Sequence, residues 1–343
     1  MKEIYPLIQS RLQEKQFQGL SIAVIRHGKL HDLEGFGLQE SGSNRLVTHA
    51  TQFHACSISK FATSLLALRF VERGLLDLDE DVNIRLRTWK ISDHDWTWRK
   101  KVTLRSLLCH QAGIIDPEES FPVYHSAQGN PSMLDILTGR TSYCSEPFTV
   151  RHEPLSQFYY SDAGFCLIQQ IIEDLCEKSF TEVMNDHLFE PLNMTQSTYD
   201  SVKSDYAFGH DKLGYIVEGD YPIYPYPAAA GLWSTPADLS KLVIEVMDAV
   251  KGNSRLGLSA ETMIDMLSPQ GCSQWTGLGI FLDPSGSALE FSSLGWGVGF
   301  QSMIVAYPSL GTGAVLMTNT DTGVHQTKGI LGEVLRALCL AGD

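Results

Sequence analysis

The chain has 343 residues, of which 43% are hydrophobic and 19% are charged, and its formal net charge at pH 7 is −14. This length allows one or two folding units, and the composition is that of an ordinary globular protein. The negative charge argues against nucleic acids and anionic membranes as partners, since both select basic surfaces. A small molecule or a short peptide remains as the expected ligand.

The start of the chain carries no export signal that can be recognised. Residues 1–6 lack the charged start, apolar run and small-residue cleavage site of a signal peptide. No segment of the sequence is long and apolar enough to predict a membrane span. The sequence as written therefore predicts a cytoplasmic protein, while export of a longer precursor and the oligomeric state stay open.

Several classes of site are disfavoured by the motifs. The seven cysteines form neither a Cys-x-x-Cys pair nor a cluster with histidine, so free thiols and no metal site are predicted. The sequence contains no phosphate-binding loop and no dinucleotide fingerprint, and it therefore predicts no cofactor. The absence of Gly-x-Ser-x-Gly argues against an α/β-hydrolase.

The first part of the chain predicts a helix, a hairpin and a second, longer helix. Apolar residues at four-residue spacing indicate the first helix, alternation and a His-Gly-Lys turn indicate the hairpin, and Gly74 can end the long helix. These elements are a helix through Ile4, Ile8 and Leu12, strands Leu20 to Ile25 and Leu33 to Gly37, and a helix from Phe61 to Leu76.

The rest of the chain is helical first and returns to strands near its end. Short helices are predicted at Thr103 to His110, Met133 to Leu137, Ala163 to Glu177 and Phe180 to Leu188. Strands are predicted at Leu278 to Leu282, Ala288 to Ser292, Gln301 to Tyr307 and Gly313 to Thr318, followed by a helix from Val324 to Leu340.

This order of elements predicts an α/β chain of the α+β type. Strands at both ends and helices between them indicate that the two termini meet in one antiparallel sheet. We therefore expect residues 1–80 and 270–343 to form a sheet domain and residues 81–269 to form a mainly helical domain. A cleft between the two is the expected place for a site.

Ser57-Ile58-Ser59-Lys60 lies at the start of the long helix, so Lys60 stands one turn after Ser57 on the same face. A nucleophilic serine needs a base within hydrogen-bond reach, and a desolvated lysine can serve. The helix N-terminus also favours negative charge. Taken alone, the pair is better explained as an N-capping serine followed by a solvated lysine, so a catalytic interpretation depends on the remaining chain.

Two further segments can contribute to the same cleft. Tyr160 and Asp162 lie in a predicted turn just before the helix that begins at Ala163. The segment Ser292 to Phe300 is rich in glycine at the edge of a predicted strand, so a backbone N–H there can approach a ligand closely. His110 ends a predicted helix, and we expect it to be a structural, hydrogen-bonded histidine rather than a general base.

Together these segments resemble the serine β-lactamase and penicillin-binding protein family, in its class C β-lactamase, D,D-peptidase and esterase branch. The pattern of that family is Ser-x-x-Lys, then Tyr-x-Asn, then a strand with Lys- or His-x-Gly. Ser57 and Lys60 match the first motif, Tyr160 the second and Gly295 the third. Further segments match in the same order, namely Gly19 to Val24, Glu72 to Asp79, Leu107 to Ile114, Phe189 to Met194, Ala229 to Thr235 and Val315 to Asn319.

The resemblance implies a fold and a set of roles. The fold is an antiparallel sheet flanked by N- and C-terminal helices, with an inserted helical domain. Ser57 corresponds to the nucleophile, Lys60 to its proton partner and Tyr160 to the relay toward the leaving group. The backbone N–H groups of Ser57 and Trp296 correspond to the oxyanion hole, and the substrate-binding positions are Asp162, Ser293, Leu294 and Gly295.

Two positions depart from the family pattern. Asp162 stands where asparagine is usual, and Ser293 stands where lysine or histidine is usual. A carboxylate near Lys60 is expected to raise the pKa of the lysine, and loss of a cation near Tyr160 disfavours a phenolate. Both changes make activation of the nucleophile harder at neutral pH.

The resemblance and its departures lead to two hypotheses. The first is a serine hydrolase that forms an acyl-enzyme with a β-lactam, a D-amino-acid peptide or a carboxylic ester. Because a neutral hydroxyl binds a carboxylate more weakly than a cation does, Ser293 favours esters or amides without that carboxylate. The alternative is a non-catalytic or very slow penicillin-binding or sensor-like protein with a degraded third motif.

Overall fold

The structure is a computed structural model that describes residues 4–200 and 205–340. The helices are α1 (Tyr5–Gln13), α2 (Ile58–Glu72), α3 (Asp95–Arg99), α4 (Leu104–Leu108), α5 (Met133–Leu137), α6 (Asp162–Cys176), α7 (Phe180–Met184), α8 (Glu190–Leu192), α9 (Pro227–Ala230), α10 (Pro236–Val250), α11 (Ala260–Met266) and α12 (Ile330–Ala337). The strands are β1 (Gly19–Arg26), β2 (Lys29–Gly37), β3 (Phe53–His54), β4 (Trp233–Ser234), β5 (Phe281–Asp283), β6 (Glu290–Gly297), β7 (Phe300–Tyr307) and β8 (Thr312–Thr318).

Strands from the two ends of the chain form one antiparallel sheet, as the sequence predicts. The strand order is β2-β1-β8-β7-β6-β5, and the first hairpin joins the C-terminal strands where β1 pairs with β8. In that register Ile22 lies opposite Leu316 on one side and Glu34 on the other. A second sheet of two short strands, β3 and β4, lies just before the start of α2.

The two faces of the sheet bury different sets of side chains, because alternate residues of a strand point to opposite faces. In β1, Ile22 and Val24 pack with residues of α1 and α12, among them Ile8 and Val334. Ala23 and Ile25 belong instead to the larger core that contains α2 and α6. Helices therefore cover both faces of the sheet.

Helix α2 is the central element of the larger core. All its residues from Ile58 to Phe70 are buried, including polar ones such as Lys60 and Ser64, so other elements surround this helix on every side. It ends at Glu72, just before the predicted stop at Gly74, whose φ of +67° is a conformation that glycine adopts without strain. Because α2 packs against β6, β7, α6 and α9, its first turn lies where these elements meet.

Several element boundaries differ from the predicted ones. The strand predicted from residue 278 begins at Phe281, because Gly279 has a φ of +76° that a regular strand does not allow. The last helix begins at Ile330, with Gly329 in extended conformation as its N-cap, rather than at residue 324. Helix α10 was not predicted, and it packs on β1, β2 and β8. The division into two domains stays a prediction.

Candidate active site

The chain turns sharply just before Ser57. Cys56 has a φ of +51°, a left-handed conformation that is costly for a residue with a Cβ atom. The turn is fixed by its neighbours: Ser302 Oγ donates to the Ala55 carbonyl at 2.9 Å, and the Cys56 N–H donates to His54 Nδ1 at 3.1 Å. Ser57 is thereby held at the N-cap of α2.

The amine of Lys60 is surrounded by three oxygen partners. Lys60 Nζ lies 3.3 Å from Ser57 Oγ, 2.5 Å from Asp162 Oδ1 and 2.9 Å from the carbonyl oxygen of Ala229. The side chain of Lys60 is only 3% exposed. The predicted hydroxyl–amine pair is thus brought together, and the same amine forms an ion pair with Asp162.

The charge state of Lys60 follows from two opposing effects. Burial disfavours the ammonium and acts to lower the pKa of Lys60, but Asp162 and the Tyr160 phenol outweigh it, so the pKa is raised above its ordinary value. The amine is therefore held as a cation at neutral pH. This is the effect expected from a carboxylate at position 162.

The turn that carries Tyr160 and Asp162 is held by a carboxylate from a distant loop. Asp116 accepts hydrogen bonds from the Ser161 hydroxyl at 2.7 Å, the Asp162 N–H at 2.9 Å and the Ala163 N–H at 3.0 Å. These contacts satisfy donors at the start of α6, for which Ser161 is the N-cap. Sequence reasoning missed Asp116, because it acts across 45 positions of the chain.

Tyr160 lies on the rim of the site, stacked on His110 with ring centroids 4.4 Å apart. Burial raises the pKa of Tyr160, and Lys60 acts in the opposite direction. For His110, burial and then the charge of Lys60 lower the pKa to about 3. His110 Nδ1 accepts the Ser161 N–H at 3.1 Å, so this neutral histidine supports the turn, as expected from the sequence.

Strand β6 forms the opposite side of the site. Gly295 lies so close to the turn before Ser57 that a Cβ atom would stand 2.3 Å from the Ala55 carbonyl oxygen and 3.2 Å from Cys56 Cβ. Gly297 and Phe300 close a hairpin around a two-residue turn, and Trp296 pairs with Gln301. In an antiparallel pair, every second residue directs its N–H away from the partner strand. Because Gly297 pairs with Phe300 next to the turn, the N–H of the preceding residue, Trp296, points away from β7.

A pocket at the start of α2 brings these parts together. Ser57, Lys60 and Tyr160 line it, as do Ser293 and Leu294 of β6, while Asp162 lies next to Lys60 and Gly295 lies against the turn before Ser57. The sequence did not indicate the loop from Thr276 to Phe281, which also lines the pocket. Lys60 is the one lysine or arginine among the described lining residues.

In residues 4–200 and 205–340, no group of three or more histidine, cysteine or acidic side chains is arranged to hold a metal ion. In the same ranges, the helices are all too short or too polar to cross a membrane.

Comparison with known proteins identifies a family match over nearly the whole chain. The family model described as Beta-lactamase matches residues 6–335. Protein flp of Staphylococcus aureus (strain MW2) is 26% identical over 236 residues, which are 69% of this chain and 45% of the relative. Teichoic acid D-alanine hydrolase of S. aureus (strain MRSA252) is 23% identical over 249 residues, which are 71% of this chain and 57% of the relative. The chain spans about half the length of the curated relatives it matches.

Solved structures with the same fold cover the chain almost completely. D-amino acid amidase from Ochrobactrum anthropi SV3, in complex with D-phenylalanine, has a TM-score of 0.78 at 21% identity and covers 98% of both chains. The octameric penicillin-binding protein homologue from Pyrococcus abyssi has a TM-score of 0.74 at 22% identity, covering 94% of this chain and 74% of that one. At these identities the likeness concerns the fold.

Proposed function

Because the chain belongs to the β-lactamase family, we propose that it is a serine hydrolase that cleaves an ester or an amide through an acyl-enzyme at Ser57. The observation that carries this proposal is the 3.3 Å distance between Ser57 Oγ and the buried amine of Lys60. The hydrolase names of two matched proteins, a D-alanine hydrolase and an amidase, also support it.

In the proposed reaction, Ser57 Oγ forms a bond to the carbonyl carbon of the substrate. The hydroxyl proton passes to Lys60 and reaches the leaving nitrogen or oxygen through the Tyr160 phenol. The leaving group departs with that proton, and the acyl group remains on Ser57. Water then attacks the ester, its proton returns to Ser57, and the acid is released.

Two backbone N–H groups are suited to stabilise the charge that develops on the carbonyl oxygen. The N–H of Ser57 lies at the start of α2, and the N–H of Trp296 is directed away from β7. Donors that are fixed before the reaction cost no reorganisation when the oxyanion forms, and such donors often contribute the largest single effect. Gly295 is essential here because only glycine lets β6 approach the turn before Ser57.

Activation of Ser57 requires a neutral amine, and the ion pair with Asp162 opposes it. Since the pKa of Lys60 is raised, the neutral form is a minor species at pH 7, and the reaction is expected to accelerate as the pH rises. The Tyr160 phenol, whose pKa is also raised, gives no alternative base at neutral pH. The proposed enzyme is therefore slow under neutral conditions.

The experiment is acylation followed by intact-protein mass spectrometry. Wild type, Ser57→Ala and a control, Ser287→Ala in the exposed turn before β6, are incubated with a 4-nitrophenyl ester and with a fluorescent penicillin. We expect one acyl group on wild type and on the control, located at residue 57 by peptide mapping, and none on Ser57→Ala. Wild type that gains no mass from either reagent between pH 7 and pH 10 contradicts the proposal.

A second candidate function is favoured by the 2.5 Å contact between Lys60 Nζ and Asp162. A protein whose amine is held as a cation can form an acyl-enzyme slowly and keep it, which describes a penicillin-binding or sensor-like role. The two candidates differ in the second half of the reaction. Release of the acyl group with repeated turnover supports a hydrolase, whereas a lasting adduct supports the second candidate.

A further inference from the structure

The charges around the cleft are unbalanced. Lys60 is the only lysine or arginine among the described lining residues, and it is already paired with Asp162. Asp321 is another acidic group near the site: burial raises the pKa of Cys56, the residue before Ser57, Lys60 lowers it, and Asp321 adds to the rise. A substrate that brings a negative charge meets no free cation here, while a substrate with a positive charge meets acidic groups.

Asp321 is hydrogen-bonded to a side chain of β6, the strand that carries the proposed oxyanion donor. Its Oδ1 accepts the indole N–H of Trp296 at 2.8 Å and the Gly323 N–H at 3.0 Å. Both contacts use the same oxygen, and among the described residues no hydrogen bond to Oδ2 is found. Trp296 is 43% exposed. One carboxylate oxygen and a partly exposed aromatic side chain thus lie next to the proposed oxyanion donor.

We propose that Asp321 and Trp296 form a specificity-determining pair that binds a positively charged amino group on the acyl part of the substrate. A carboxylate gives an ammonium ion a charge-assisted hydrogen bond, and an indole face attracts a cation through its π-electrons. The preferred substrates are therefore esters or amides of amino acids with a free amine. This inference rests on the proposed acyl transfer at Ser57.

The other acidic groups of the site are less suited to this role. Asp116 already accepts three hydrogen bonds that hold the start of α6, and Asp162 is neutralised by Lys60. Asp321 has no such partner: within the described residues, no lysine or arginine nitrogen lies within 4.0 Å of its carboxylate. The stem of Lys212 contacts the Gly323 position, but it forms no ion pair with Asp321 there.

The experiment compares two acyl groups of the same shape that differ only in charge. Alanine 4-nitroanilide carries an ammonium where the isobutyric 4-nitroanilide carries a methyl group, and both enantiomers of alanine are assayed. The readout is the ratio of kcat/KM for the two acyl groups, in wild type and in Asp321→Asn. Asparagine keeps an oxygen that accepts the Trp296 N–H, so the local structure is retained while the charge is removed.

We expect wild type to prefer at least one alanine enantiomer, and Asp321→Asn to lower that preference roughly tenfold to hundredfold, the range for losing a hydrogen bond to a charged group. The matched control Asp283→Asn removes an exposed carboxylate on β5 and should keep the preference, which separates local binding from the net charge of the protein. Raising the salt concentration should weaken the preference only partly, because a contact inside a cleft is screened less than a surface one.

The outcomes separate this inference from the function on which it rests. Acylation of Ser57 with equal kcat/KM for the two acyl groups, or a preference that survives Asp321→Asn, overturns the inference and leaves the hydrolase proposal intact. If neither the 4-nitrophenyl ester nor either anilide acylates Ser57, the hydrolase proposal itself is overturned. The inference is then overturned as well.

Discussion

The two sides of the cleft treat charge in different ways. The nucleophile wall consists of Ser57, Lys60, Tyr160 and Asp162, and its cation and anion neutralise each other. The strand wall consists of Ser293, Gly295, Trp296 and Asp321, and it has an acidic group without a cationic partner among the described residues. The comparison suggests a division of roles: the first wall sets how fast Ser57 reacts, and the second sets which acyl group is accepted.

The largest effect is expected from removing the amine of the nucleophile wall. Lys60→Met keeps the length of the side chain but leaves Ser57 without its base, so acylation by a 4-nitrophenyl ester should slow by about 10²- to 10⁴-fold, the usual contribution of a positioned acid or base. The measurement is the stopped-flow or manual rate of acylation at several pH values, with Lys251→Met as an exposed control. Thermal unfolding of the variant checks that it is folded. A folded Lys60→Met that acylates within twofold of wild type would remove Lys60 from the mechanism.

The strand wall is tested next by the fit of Gly295. A Cβ atom in Gly295→Ala would stand 2.2 Å from Ser302 Oγ and 2.3 Å from the Ala55 carbonyl oxygen, so β6 and the turn before Ser57 must separate. A displacement of about 1 Å at a reacting group can cost roughly 10²-fold in rate, and we expect kcat/KM to fall by that order.

The control for this variant is Gly286→Ala, whose new Cβ would meet its nearest neighbour only at 3.6 Å. It should retain the activity of wild type. Because both variants add the same methyl group, a similar loss in both would show that the close approach of β6 to the turn before Ser57 is not what limits the rate.

The sequence indicated much of this geometry because the decisive spacings are local. Ser57 and Lys60 lie on one face of α2 by helical periodicity, and that helix ends just before the predicted stop at Gly74. Asp162 was expected to raise the pKa of Lys60, and in the structure it lies 2.5 Å from the amine and acts in that direction. Family resemblance placed Asp162 near Lys60, since the two residues are 102 positions apart.

The parts that were not predicted depend on contacts between distant segments or on weak local signals. The role of Asp116 depends on a loop that meets α6 only in the folded chain, and strands β3 and β4 are two residues long and show no periodicity. Helix α10 did have a readable start, because Thr235 accepts the Asp238 N–H and Pro236 occupies the first turn. That signal was missed. The association of Trp296 with Asp321 has no sequence signature at all.

Removing the ion pair of the nucleophile wall is expected to raise the acylation rate, whereas the two preceding variants lower the rate. In Asp162→Asn, which restores the residue usual in the family pattern, the charge that raises the pKa of Lys60 is lost. The neutral amine then becomes more abundant at any given pH, and the alkaline rise of acylation rate moves to lower pH. At pH 7 we expect a rate increase of roughly tenfold, since a close opposite charge shifts a pKa by about one unit or more.

The measurement for Asp162→Asn is the pH dependence of the acylation rate from pH 6 to pH 10. The control is Asp186→Asn, which removes a surface ion pair with Lys178. It should leave the pH dependence of acylation unchanged. If Asp162→Asn is slower at every pH, then Asp162 assists the reaction rather than restraining it, and the account of the nucleophile wall is wrong.

The smallest effect concerns stability, and it tests whether the histidines around the turn before Ser57 are neutral. Burial lowers the pKa of both His54 and His110 from 6.5 to about 3, and Lys60 adds to the effect at His110. Below pH 6.5 the unfolded chain binds protons that the folded protein cannot, so the stability that is fully present above pH 6.5 declines toward pH 3. From pH 6.5 to pH 5.5, each histidine should remove about 1 kcal/mol.

His110→Asn separates the contribution of one histidine. Asparagine tolerates the φ of +58° found at this position, and its side-chain oxygen can accept the Ser161 N–H in place of Nδ1. Urea unfolding at pH 6.5 and pH 5.5 should therefore show a smaller loss of stability in the variant than in wild type, by about 1 kcal/mol, whatever the two proteins' absolute stabilities. The exposed control His49→Asn should show the wild-type loss. An equal loss in His110→Asn and wild type would mean that His110 binds its proton as readily in the folded protein as in the unfolded chain, which would place a second cation beside Tyr160.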